Sequence, residues 1–130
     1  MLAMTTTPKN LKYTREHEWV LLEGKTARIG ITDFAQKQLG DIVFVELPEV
    51  GRQLDRGKSF GTMESVKAVT EVYAPVSGKV TAVNADIADM PEDINDQPYE
   101  SWLVKVEVSN AKELNDLMTA EEYDAYCKDE

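Results

Sequence analysis

The sequence has a single cysteine, Cys127, and a single histidine, His17, among 130 residues. One thiol cannot form an internal disulfide, which fits a reducing compartment. One residue of each kind cannot supply a multi-ligand zinc site, and the acidic residues follow no calcium-loop spacing. The chain lacks a G-x-S-x-G elbow, a glycine-rich loop running into Lys and Ser/Thr, and a dinucleotide fingerprint. A nucleophilic pair of Cys127 and His17 is a poor candidate, because Cys127 falls in a charged terminal helix expected to fray. No hydrophobic run approaches a membrane span. Positive charge is scarce: 14 Lys and Arg stand against 24 Asp and Glu, for a formal net charge of -10. Such a surface repels phosphate backbones and anionic lipid, which argues against nucleic acid and membranes as partners. It suits docking onto basic protein faces, or solubility alone. Nothing in the inventory points to an enzyme.

The length predicts one domain with a core of its own. Residues 1–10 are expected to be a flexible N-terminal segment and 11–130 the domain. The first nine residues are polar and threonine-rich, without the apolar core of a signal peptide or the arginines of a transit peptide. The chain as given reads as cytoplasmic; a mitochondrial matrix chain stripped of its transit peptide would read the same.

Short strands broken by glycine and proline dominate. Residues 18–22 and 26–32 flank Glu23-Gly24-Lys25, a hairpin signal. Residues 33–39 have helical spacing, with Asp33 expected as N-cap and Gly40 as the stop. Further strands are expected over 41–47, 58–65, 68–74, 79–84 and 102–109, with a looser segment around Pro91 and Pro98. Residues 111–118 and 120–128 read as helical, Thr119 and Glu122 forming a capping box for the second. This pattern predicts a mainly β fold, a small sandwich or barrel with helices at its edges.

The informative stretch is residues 60–70, a strand, a tight turn and a strand with Lys67 at the turn. Most lysines on hairpin tips are solvated charges and nothing more. Here the neighbours are Val66 and Ala68, where a plain surface turn favours Asn, Asp or Gly. Small apolar neighbours leave the amine alone for another protein to grip.

Glu64-Ser65-Val66-Lys67-Ala68, followed by Tyr73-Ala74-Pro75-Val76-Ser77-Gly78, resembles the lipoylation hairpin of glycine cleavage H proteins. The resemblance extends to Tyr13-Thr14-Arg15-Glu16-His17-Glu18-Trp19-Val20, Ile29-Gly30-Ile31-Thr32-Asp33, and Gln38-Leu39-Gly40-Asp41-Ile42-Val43-Phe44-Val45-Glu46-Leu47-Pro48. Asn95, Pro98-Tyr99, Trp102 and the helical tail continue it, so residues 11–126 are covered. Biotin carriers flank their lysine with methionines, and the lipoyl domains of 2-oxoacid dehydrogenases lack the His-Glu-Trp opening and the terminal helices. The family usually carries Pro-Tyr-Gly-x-Gly-Trp where this chain has Pro98-Tyr99-Glu100-Ser101-Trp102, so the turn there is expected to take another shape.

The resemblance implies a lipoyl/biotinyl-type barrel-sandwich hybrid, with a short helix after the first hairpin and helices at the C-terminus. It implies lipoate held on Lys67 as an amide, attached by a lipoate ligase or a lipoyl/octanoyl transferase. The chain would then be a non-catalytic, monomeric carrier. It would take the aminomethyl group of glycine from a pyridoxal-phosphate glycine decarboxylase to an aminomethyltransferase, and be reoxidised by dihydrolipoamide dehydrogenase. An alternative role is relay of lipoyl or octanoyl groups to other lipoyl domains; an unmodified β module is a third. His17-Glu18-Trp19 leaves two readings for Glu18: a solvated strand edge, or by resemblance the carboxylate that binds the amine of the loaded arm in a cleft. By the same resemblance Gln38 lines that cleft, and Glu64, Gly78 and Gly51 help the modifying enzyme recognise the acceptor. Gly78 would owe its place to a positive φ or to a close approach.

Overall fold

The structure is a computed structural model that describes residues 7–128. Residues 1–6 of the expected N-terminal segment lie outside the described part. Thr7 hydrogen-bonds to Asp124, and the Tyr13 hydroxyl donates to the Pro8 carbonyl (2.5 Å).

The mainly β expectation holds. The first hairpin joins β2 (Glu18–Glu23) to β3 (Thr26–Ile31). Gly24 sits at φ +65, where a side chain would be strained. A two-residue strand, β1 (Lys12–Tyr13), pairs with β2. Helix α1 (Asp33–Leu39) follows, and its cap corrects the sequence reading. Thr32, not Asp33, is the N-cap, its hydroxyl accepting from the Ala35 amide (3.2 Å). The Thr32 amide is already held by the His17 carbonyl (3.0 Å), which keeps that residue extended. Asp33, one step inside, accepts from Gln36 (2.8 Å) and pairs with Lys37 (2.9 Å).

The remaining strands are β4 (Ile42–Glu46), β5 (Gln53–Leu54), β6 (Ser59–Ser65), β7 (Val69–Tyr73), β8 (Gly78–Val83) and β9 (Val104–Val108). β1 and β5 escaped the sequence reading because two residues carry no periodicity. Between β8 and β9 the expected loose segment instead forms two single-turn helices, α2 (Ala85–Asp89) and α3 (Glu92–Asp96). Each buries one isoleucine, Ile87 and Ile94, and Pro91 sits at the start of α3, where its missing amide costs nothing. The first tail helix is a 3-10 turn over Ala111–Asp116; the second is α4 (Ala120–Lys128). Its capping box forms as expected: Thr119 N donates to Glu122 and Glu122 N to the Thr119 hydroxyl.

Strands β1-β2-β3-β9-β8-β5 make one antiparallel sheet and β4-β6-β7 a second. Their facing residues, among them Ile29, Val45, Met63, Val72, Val80 and Val106, close one apolar core. A second cluster of Leu11, Tyr13, Trp19, Ala120 and Tyr123 fixes α4 against β1 and β2. The loop before β9 drapes over Trp19, whose indole N–H donates to the Pro98 carbonyl (3.0 Å). That loop, which lacks the family's glycines, turns through Glu100 and Ser101 amides that both donate to the Gln97 carbonyl. The Ser101 hydroxyl donates to the Asp93 carbonyl. Among the described residues no helix is long and apolar enough to cross a membrane.

Close approach, rather than positive φ, explains Gly78. A Cβ there would stand 2.2 Å from the Glu107 carbonyl oxygen and 2.5 Å from Val106 Cγ1. The first of these is backbone of the paired strand and cannot turn aside. Gly78→Val is therefore expected to force β8 from β9 and cost about 3 kcal/mol or more. Urea unfolding reads this directly; an unchanged midpoint would mean that the β8–β9 pairing absorbs a side chain freely.

Candidate functional site

The β6–β7 hairpin ends in a turn from Ser65 to Ala68. Ser65 builds it, its amide donating to the Ala68 carbonyl (2.8 Å) while its hydroxyl oxygen receives the amides of Lys67 and Ala68 (3.1 Å each). A short hydroxyl side chain thus takes the part that backbone carbonyls take in ordinary turns. The Val66 amide donates instead to Asp41 O (3.0 Å), in the junction between α1 and β4. Val66, Lys67, Ala68 and Val69 are all exposed.

Lys67 does not simply point into water. Its stem lies over Gly40: a Cβ on that glycine would come within 3.2 Å of Lys67 Cε and 3.7 Å of Nζ. Gly40 also closes α1 at φ 77, ψ -158, a conformation that favours glycine. The junction is held from α3, where Asn95 accepts from Ile42 N (2.9 Å) and donates to the Gly40 carbonyl (2.9 Å) and Gln36 Oε1 (3.0 Å).

Beside the hairpin, α1, the start of β2, and β6–β7 enclose a cleft of about 230 Å³. Ile31, Ala35, Leu39, Met63 and Val72 give it an apolar lining; Glu16, His17, Glu18, Gln38, Thr70 and Glu71 complete it. Glu18 and Gln38 therefore share one cleft. The solvated-edge reading of Glu18 is wrong, since only 3% of the residue is exposed. Oε1 accepts from the Thr14 hydroxyl (2.6 Å), which accepts in turn from the Glu18 amide (3.0 Å). Oε2 accepts from the Tyr73 amide (3.2 Å). Burial pushes the carboxyl up to about 7; the bonds from Thr14 and Tyr73 pull it back, and the nearby Glu16 charge adds to the rise.

His17, next to it, holds φ 70, a rare conformation for a residue with a side chain. Its ring stacks on Phe34 (4.5 Å between centroids), and Nδ1 lies 2.7 Å from the Tyr123 hydroxyl. The same hydroxyl lies 2.7 Å from the Thr32 hydroxyl, so α4 braces both the cleft wall and the cap of α1.

The other candidates stand apart from the cleft. Glu64 is exposed on β6, opposite Phe44 on one side and Val69 on the other. Gly51 (φ +97) and Gly78 lie together beyond the base of the hairpin: the Gly51 amide donates to Val80 O (2.8 Å), and Leu54 pairs with Gly78. Sequence reasoning missed Thr14, Gly40 and Asn95 as parts of the site. Gly40 and Asn95 stood in the resemblance without a role, and nothing local in the sequence assigns one to an Asn whose partners lie 53 and more residues away.

Comparison with known proteins agrees with the fold. The family model described as "Glycine cleavage H-protein" matches residues 11–130. The chain is 58% identical over 118 residues to the glycine cleavage system H protein of Anoxybacillus flavithermus, covering 90% of this chain and 93% of that one. Its identity to the H protein of Bacillus cytotoxicus is 60% over 117 residues, 89% and 92% of the two chains. The crystal structure of an H protein from Mycobacterium marinum superposes with a TM-score of 0.86 at 38% identity, covering 93% of this chain and 98% of that chain.

The raised Glu18 pKa fixes the sign of a pH effect. Between the ordinary value of 4.5 and about 7, the folded chain holds a proton that the unfolded chain has released. Stability is then full below the lower value and falls as pH rises through the window, the reverse of an ion-paired carboxylate. The loss is at most about 3 kcal/mol, from roughly 1.4 kcal/mol per pH unit. Glu18→Gln keeps the shape without the charge. Urea unfolding between about pH 5 and about pH 8 should show the wild type losing stability relative to Glu18→Gln. Parallel profiles would show that Glu18 ionises in place without cost.

Proposed function

We propose, starting from the fact that this chain belongs to the glycine cleavage H-protein family, that it is a carrier bearing lipoate in amide linkage on Lys67. The observation that carries this reading is a lone exposed amine on a tightly bonded tip, beside an apolar cleft that holds a buried acid.

The residues present fit the group. An amine in an exposed turn can be desolvated by a modifying enzyme, which a lysine within a strand could not. Amide formation removes the charge and leaves an arm of roughly a dozen bonds, reaching on the order of 14 Å. Ile31, Leu39, Met63 and Val72 offer such an arm apolar surface. When bound, the lipoyl group supplies a disulfide that carries the aminomethyl group of glycine from the pyridoxal-phosphate decarboxylase to the aminomethyltransferase and is restored by dihydrolipoamide dehydrogenase.

The chain's own part is to shelter and to present. Glu18 lies where its carboxylate meets a protonated amine brought into the cleft, a charge-assisted hydrogen bond with a net value of about 1.5 to 3 kcal/mol. Because burial holds the carboxyl near neutrality, such an amine displaces its proton, and docking strengthens as pH rises through about 7. Gln38 offers an amide from the same wall. Glu64 is exposed for the lipoate ligase or lipoyl/octanoyl transferase to read. Gly51 and Gly78, where β5 meets β8, serve that enzyme away from the hairpin tip. The acidic surface favours partner faces that are basic, and the bond-making steps belong to those partners.

Intact mass of the protein from its own cell should show one lipoyl addition, mapped to Lys67. Lys67→Arg keeps the charge and the fold and should carry nothing. Glu64→Ala should be lipoylated more slowly with little loss of stability, because an exposed carboxylate contributes little. A Lys67→Arg chain that still supports glycine cleavage would sink the assignment.

A further inference from the structure

We infer that Asn95 is a positioning residue for Lys67: its side-chain amide locks the junction between α1 and β4 on which the acceptor turn rests. The inference rests on the reading of Lys67 as the acceptor. It concerns a residue on a different element, 28 positions further along the chain.

Three bonds converge on one amide. Oδ1 receives Ile42 N–H, while Nδ2 donates to the carbonyl of Gly40 and to Gln36 Oε1. The orientation is fixed by chemistry, since Ile42 N can only donate and Gly40 O can only accept. Gly40 and Ile42 are the two neighbours of Asp41. Holding both leaves the Asp41 peptide little freedom, and Asp41 O is what receives the Val66 amide, one residue before Lys67. Gly40 is also the surface over which the lysine stem lies. The tip is thus fixed at two points, its amide and its stem, and both trace back to Asn95.

Other side chains do not meet these demands. Asp would keep the bond to Ile42 N but set a carboxylate oxygen against two acceptors. Gln is one methylene too long, and Ala leaves an N–H and two oxygens unpaired at a helix end. A merely structural role would be to tie α3 to the sheet. That role predicts lower stability with no specific effect on the turn.

The test uses the unloaded full-length chain with lipoate ligase, lipoate and ATP, and separates kcat from KM for the acceptor. Glu64 and the tip side chains remain in Asn95→Ala, so KM should stay within about twofold while kcat falls by about tenfold, because a misplaced amine is still bound. Hydrogen exchange of the Val66 amide should quicken by about tenfold or more, with the core amide of Val106 changing less. If Asn95→Ala does not fold, Asn95→Asp decides. It keeps the Ile42 bond but repels the Gly40 carbonyl, and should lower kcat in the same direction. A folded variant with wild-type kcat and wild-type Val66 exchange overturns the inference and leaves the Lys67 reading intact. Peptide mapping that finds the acyl group of the wild type on another lysine overturns both.

Discussion

The turn that carries Lys67 has three backbone amides to satisfy, and the rest of the site follows from how they are satisfied. Ser65 takes those of Lys67 and Ala68 on one hydroxyl oxygen. The amide of Val66 finds no acceptor within the hairpin and goes to Asp41. That single bond joins the second sheet's hairpin to the end of α1. The loop after α1 must therefore be stiff, which brings in Asn95 and a glycine whose dihedral angles few other residues adopt. Small apolar neighbours at the tip are tolerable because these bonds, and not side-chain packing, hold its shape.

The same hairpin also sets the electrostatics of the cleft. β7 runs from the turn to Tyr73, whose amide reaches Glu18 Oε2. One strand thus places the lysine at one end and steadies the buried acid near the other. Burying a carboxyl is unfavourable, and the Thr14 and Tyr73 bonds only partly offset it. The fold maintains this acid where its charged form is disfavoured. A residue kept at such a cost is easier to explain by the cleft it faces than by the sheet it sits in.

Most of the frame was legible before any coordinates. Strands β2, β3, β4, β6, β7, β8 and β9, helix α1 and the capping box of α4 all follow from alternation, glycine stops and the Thr119–Glu122 spacing. What escaped shares a cause: it depends on partners distant in sequence. β1 and β5 exist only because β2 and β8 pair with them. Helices α2 and α3 are too short for periodicity and stand because Ile87 and Ile94 are buried by other elements. In the site, Lys67 could be singled out from its neighbours, whereas the burial of Glu18 could not. A glutamate before a tryptophan reads as an outward strand residue until Thr14 and Tyr73 are brought beside it.

The sheet order also bears on how the chain is made. β3, near the N-terminus, has β9 as its second neighbour, and Tyr13 bridges to Met118. The larger sheet cannot close during synthesis until residue 108 has left the ribosome, so the first hairpin must wait with an open edge. The β6–β7 hairpin, by contrast, pairs strands that are adjacent in sequence and can form early. Its lysine is therefore translated, and can be exposed, before Asn95 exists to hold the loop beneath it. A nascent chain and a finished one present the same amine in different settings, and only the completed fold gives it a fixed address.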